Sequence, residues 1–174
     1  MTEKRNDNDS AADDRLDMMK CALLMFLDHP VFGVGYNNYE VHYRHYELRY
    51  HLKPKHQAYS AHSLYLEIAA EQGLVGLTVF GYLLWMAVRS VLQARRTFRE
   101  IGMLEGRNIA TAIGIGLFGY LVTATFLHNG YARYSYLILG MALALRPIAE
   151  RERGTAPPRA SSETKDAHLI LNRV

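Results

Sequence analysis

Between Asn108 and Ala132 the chain runs for 25 residues without a charged side chain, and most of them are apolar. About 20 such residues span the hydrocarbon core of a bilayer, so this stretch predicts a transmembrane helix over about 109–127, closed by a turn at His128-Asn129-Gly130. A similar run over about 73–92, interrupted only by Arg89, predicts another. Tyr131 to about 146 predicts a third, thinner span, entered at Arg133. Upstream, Leu16, Met19, Leu23 and Phe26 recur at helical spacing, which predicts a short amphipathic helix over 15–27. His29-Pro30 ends it, because a residue before proline is pushed out of the helical region. Gly33 and Gly35 then mark a tight turn. Ser60 or Ser63 can cap a helix that starts near His62 and runs through Glu67 and Glu71 into the span at 73–92. Solvated helix faces are the ordinary place for carboxylates such as these two.

The resulting fold class is all-α, an integral-membrane helical bundle with a large loop. Residues 1–14 form a polar, disordered lead, and residues 15–72 hold the amphipathic helix and the loop. Residues 73–147 hold the three spans, and residues 148–174, after Pro147, form a disordered tail. Within the loop, Tyr36 to Ala61 holds six of the 12 tyrosines and four of the eight histidines. That segment is too polar for lipid and too aromatic for a linker, and reads as a structured surface loop with one helix before Pro54.

Charge fixes an orientation. The connector 93–108 carries Arg95, Arg96, Arg99 and Arg107, and Arg146 together with the tail supplies six more basic residues. The positive-inside rule places both in the cytoplasm, which leaves the loop 28–72 outside. Because no secretory signal precedes that loop, the chain reads as the C-terminal part of a longer membrane protein. A formal net charge of +3, with basic residues that flank the apolar spans, argues against a nucleic-acid partner. Cys21 is the single cysteine, so neither an internal disulfide nor a cysteine zinc site can form. Its apolar setting predicts a small buried hydrophobe.

The most specific motif is His62-Ser63, nine intervening residues, Gly73, two more residues and Gly76. Together with HPVFGVGYNNY upstream and HSLYLEIAAEQGLVGL around it, this resembles the signature of the O-antigen ligase and Wzy-type polymerase family over about residues 14–146. The resemblance implies a GT-C-like glycosyltransferase of the bacterial inner membrane that needs no metal or other cofactor. It implies a polyprenyl diphosphate-linked glycan as donor and a sugar, lipid A-core or protein hydroxyl as acceptor, in cell-surface polysaccharide synthesis. It places the loop 28–72 in the periplasm and puts His62 where the family has its proposed base. Arg15 stands where the family has an arginine just upstream of the amphipathic helix.

The residues suit those roles. A sugar hydroxyl becomes a good nucleophile only as its proton leaves, and imidazole accepts protons near neutral pH. A helix N-terminus disfavours the imidazolium and so keeps the base neutral. A leaving diphosphate needs positive charge, which arginine supplies in a bidentate fork. Arg15 is the first candidate, with Arg44 and Arg49 behind it. Gly73 and Gly76 are expected to let transmembrane backbones pack closely. Glu67 and Glu71, if not simply solvated, can orient His62 or a loop arginine.

Three other patterns lead elsewhere. Gly114-x-Gly116-x-x-Gly119 has the dinucleotide spacing but lies within an apolar span, where it reads as a packing face. Asp7-Asn8-Asp9 imitates a metal-dependent Asp-x-Asp motif but sits in a polar lead. His42 and His45, with His51 and His56, could hold a metal; sugar stacking or interfacial anchoring suits this aromatic loop better. The competing function is a non-catalytic or truncated membrane module, transporter-like in architecture, since the family's arginine in an earlier transmembrane helix has no counterpart here.

Overall fold

The structure, a computed structural model, describes residues 7–50, 61–125 and 132–156. Regular structure among the described residues is entirely helical: α1 (Asp7–Asp28), α2 (Tyr39–Tyr50), α3 (Leu64–Glu100), α4 (Leu104–Thr123) and α5 (Ala132–Thr155). The turn expected at His128-Asn129-Gly130 and the Pro157-Pro158 segment lie outside the described residues, as does Ser60.

The first helix departs from expectation at its start and in its face. It begins at Asp7, so residues 7–14 are helix and not disordered lead. Its end at Asp28, just before His29-Pro30, is as expected. The buried face is Met18, Cys21, Ala22 and Met25; in the expected stripe, Leu16 and Leu23 are exposed and Met19 and Phe26 half-buried. Two apolar stripes run side by side on this helix, and the one with the smaller residues turns inward. That choice lets the Tyr39 ring approach closely enough for its hydroxyl to donate to the Met18 carbonyl at 2.7 Å.

Two cores follow. In the first, Met18, Cys21, Ala22 and Met25 pack with Tyr39, Tyr43 and Tyr46 of α2 and with Ala61 and Ala70. In the second, alanines at 87, 94, 110, 142 and 149 bring α3, α4 and α5 together around Val91, Phe98, Leu117 and Leu145, the small-residue packing typical of membrane helices.

The connector expected at 93–108 is mostly helix. α3 continues through Gln93 to Glu100, and a tight reversal follows, with Met103 N–H donating to Phe98 O at 2.8 Å and Gly102 N–H to Arg99 O at 3.2 Å. This pair of bonds is a Schellman cap, and its left-handed position is held by Gly102 at φ 78°.

α5 also overruns its expected end, passing through Pro147 to Thr155. Proline has no N–H for the carbonyl four residues back, which normally breaks a helix. Here the buried Ser90 of α3 fills the gap. Its hydroxyl donates to Leu143 O at 3.1 Å and accepts from Arg146 N–H at 3.1 Å. The bond that Pro147 removes is supplied from the neighbouring helix.

Among the described residues, Leu64–Glu100 is the helix long and apolar enough to cross a membrane, and only 22% of its most apolar window is buried. The core helix of a soluble protein would bury most of it. The face of α4 expected to pack through three glycines packs through one. A side chain at Gly114 would press on Val91, whereas Gly116 and Gly119 face open space beside the exposed Ile115 and Phe118.

Candidate functional site

α3 does not run unbroken through its glycine motif. At Gly73 the backbone takes φ 64° and ψ −156°, a combination open essentially to glycine alone. In a regular helix Leu74 and Val75 would donate to Ala70 and Glu71. Here Leu74 N–H donates to Pro30 O at 2.8 Å and Val75 N–H to Val31 O at 3.2 Å. The carbonyls so released accept from the same loop: Val34 N–H donates to Ala70 O and Gly35 N–H to Glu71 O, each at 2.9 Å. The segment Pro30–Gly35 is therefore spliced into the helix, with all four backbone groups satisfied.

The fit requires both glycine motifs at once. A Cβ on Gly73 would collide with Val31 and Gly33, and a Cβ on Gly33 with Glu71 and Gln72. The close packing expected of Gly73 is thus against this loop and not against another spanning helix. Gly76 makes room for the side chain of Gln72 on its own helix.

Glu71 extends the splice. Its carboxylate accepts Asn37 N–H at 2.9 Å and Tyr39 N–H at 3.1 Å, so a buried negative charge sits on the N-terminus of α2, where the dipole favours it. Asn37, at φ 59°, turns the chain into that position. Glu67, one turn earlier, is also buried, at 5% exposure. Neither carboxylate is the solvated helix-face charge that sequence suggests. With Tyr36, Gln72, Ser135 and Tyr136 they line a cavity of about 210 Å³ between α3 and the start of α5. Tyr36 lies within the HPVFGVGYNNY segment, but Ser135 and Tyr136 carried no signal in the sequence, because their relevance arises from the packing of α5 on α3.

His62 lies between the α1–α2 core and the end of α4. Ala61 before it is fully buried in the α1–α2 cluster, and Leu64 after it donates its N–H to Ala124 O at the end of α4, at 3.0 Å. His62 spans this junction in the left-handed conformation, φ 51°, and is half-buried. Such a backbone costs a non-glycine residue about 1 kcal/mol, and residues held this way cluster at functional sites. Ser63 occupies the N-cap position as expected, but caps through its backbone only, its carbonyl accepting Glu67 N–H at 2.9 Å.

Arg15 and Arg44 are both exposed, on α1 and α2. The two helices meet beside them: Met18, one turn after Arg15, and Tyr43, next to Arg44, share the cluster that holds Ala61. Arg49 is otherwise engaged. It pairs with Asp28 Oδ2 at 3.3 Å and lies over the Tyr50 ring at 5.3 Å, while Tyr46 donates to the same carboxylate oxygen at 2.9 Å. Asp28 thereby ties the end of α1 to the last turn of α2.

The tyrosines of this cluster are structural. Burial pushes the Tyr43 and Tyr46 hydroxyls up to about 12, Tyr46 helped by its bond to Asp28, and raises Tyr39 further. Burial likewise pushes the Cys21 thiol up to about 12, so it is the inert hydrophobe expected. His42 Nδ1 lies 3.0 Å from Asn38 O and the His45 ring packs edge-on to Tyr46, so both are occupied within the α2 region. His51 and His56 lie outside the described residues.

Comparison with known proteins agrees with the motif. Residues 1–81 match the family model described as O-antigen ligase, a span holding the Pro30–Gly35 loop, His62, both carboxylates and the helix break. No curated protein and no solved structure matches the chain.

Proposed function

From the match of residues 1–81 to the O-antigen ligase family model, we propose that the chain acts in a membrane glycosyltransferase that moves a glycan from a polyprenyl diphosphate to an acceptor hydroxyl. In this reading His62 is the base. The acceptor oxygen attacks the anomeric carbon, its proton passes to an imidazole nitrogen, and the bond from that carbon to the diphosphate oxygen breaks. The polyprenyl diphosphate leaves with the bonding electrons. Arg15 and Arg44 hold the diphosphate, and Arg49, already paired with Asp28, contributes less. The cavity of Tyr36, Glu67, Glu71, Ser135 and Tyr136 suits the acceptor sugar, whose hydroxyls donate to carboxylates and whose ring faces stack on tyrosine.

The observation that carries this reading is the backbone at His62. A left-handed histidine, fixed on one side by Ala61 in the aromatic core and on the other by the Leu64 bond to α4, is held more firmly than helix initiation needs. α3, α4 and α5 then serve as the spanning anchor that keeps the loop outside the membrane.

The test is His62→Ala in the intact protein, scored for glycan transfer at matched protein level. Transfer should fall by about 10²- to 10⁴-fold, the usual contribution of a general base. Undiminished transfer would dismiss the mechanism and favour a non-catalytic module.

A further inference from the structure

A second site lies at the opposite end of α3, away from His62. Where α4 folds back along α3 at Gly102, the two helices leave a groove between them. Its part nearest the turn has a volume of about 560 Å³ and is walled by Arg95, Arg96, Arg99 and Arg107. Its inner part, about 360 Å³, is apolar, with Val88, Val91, Gly114, Leu117 and Phe118 in its walls. Leu92, Arg95 and Thr111 line both parts, so the two are continuous.

The sequence builds this gradient twice. On α3, Val88, Leu92, Arg95 and Arg99 follow one another at helical spacing along one face. On α4, Phe118, Gly114, Thr111 and Arg107 do the same in the opposite chain direction. Each stripe passes from apolar to cationic toward the turn. None of the four arginines makes an ion pair among the described residues. The nearby acid Glu100 pairs with Arg153, at 3.6 Å. Four guanidinium groups left to repel one another at the foot of an apolar groove call for an anion with a hydrocarbon tail.

We propose that this groove binds an anionic phospholipid of the leaflet on the side of the Gly102 turn. Its phosphate lies on Arg95, Arg99 and Arg107, and an acyl chain runs past Leu92 and Gly114 to Phe118. Guanidinium forks match phosphate oxygens, and basic pockets between membrane helices select anionic headgroups. A zwitterionic lipid offers the same tail without the net charge.

The full chain, purified in a detergent with an uncharged headgroup, is offered dioleoyl-phosphatidylglycerol or dioleoyl-phosphatidylcholine, and retained lipid is read by native mass spectrometry. Phosphatidylglycerol should be retained at least roughly tenfold better, and the double variant Arg95→Gln, Arg99→Gln should lose most of that preference. Both arginines are exposed, so helicity by circular dichroism should be unchanged. Equal retention of the two lipids overturns the proposal, as does a double variant that keeps the preference. Displacement of the lipid by millimolar inorganic phosphate would also overturn it, because a soluble anion would then be the ligand.

Discussion

Gly73 and Gly33 answer for each other's backbone. Adding a methyl group at either drives it into the main chain of the other's segment and forces an L side chain into a region that costs about 1–3 kcal/mol. Gly73→Ala and Gly33→Ala should therefore each destabilise the protein by about 2–3 kcal/mol or more, read as loss of thermal stability in detergent. Because both break the same splice, the double variant should cost less than the sum of the two; strict additivity would mean that the segments are not interlocked. Both motifs, Pro-x-x-Gly-x-Gly and Gly-x-x-Gly, were legible as sequence. Their union was not, since spacing reports a local backbone need and says nothing of which distant segment meets it. Glu71 was misread for the same reason. A carboxylate two residues before a glycine looks like a solvated helix charge until the loop that it caps is in place.

Helix existence was easier to read than helix ends. Apolar runs at 73–92, 109–127 and 131–146 located α3, α4 and α5, and the loop helix before Pro54 is α2. The ends slipped because polar residues continue a helix wherever a partner supplies the cap or the missing bond. Pro147 is the sharpest case: proline stops a helix by rule, and Ser90, 57 residues earlier in the chain, cancels the rule. Ser90→Ala should leave Leu143 O and Arg146 N–H without their buried partner, at about 1–3 kcal/mol. Pro147→Ala restores a donor for Leu143 O within α5, so placed on the Ser90→Ala background it should recover stability. If Pro147→Ala leaves the Ser90→Ala variant as unstable as before, Ser90 is not the bridge. Thermal unfolding of the four proteins in one detergent decides between these outcomes.

At the scale of the whole molecule, the apolar surface faces the wrong way for water. Val79, Tyr82, Trp85 and Met86 on α3, Ile115, Phe118 and Val122 on α4, and Leu137 and Met141 on α5 are all exposed, far more than scattered surface hydrophobes would give. The one charge within the α3 span is handled locally: the Arg89 guanidinium lies over the Trp85 ring at 5.2 Å, which shields it while its stem runs along apolar surface. Trp85, the single tryptophan, is 54% exposed beside Tyr82, so it reports directly on what covers this face. With the chain reconstituted in vesicles, lipids brominated along the acyl chain should extinguish most of its emission, and aqueous iodide should leave it nearly unchanged. The positive-inside argument and the exposed apolar belt both require that result, because a helix with 22% of its apolar window buried needs hydrocarbon or further helices around the rest. Quenching by iodide and not by bromine would place Trp85 in water and remove the membrane from the architecture.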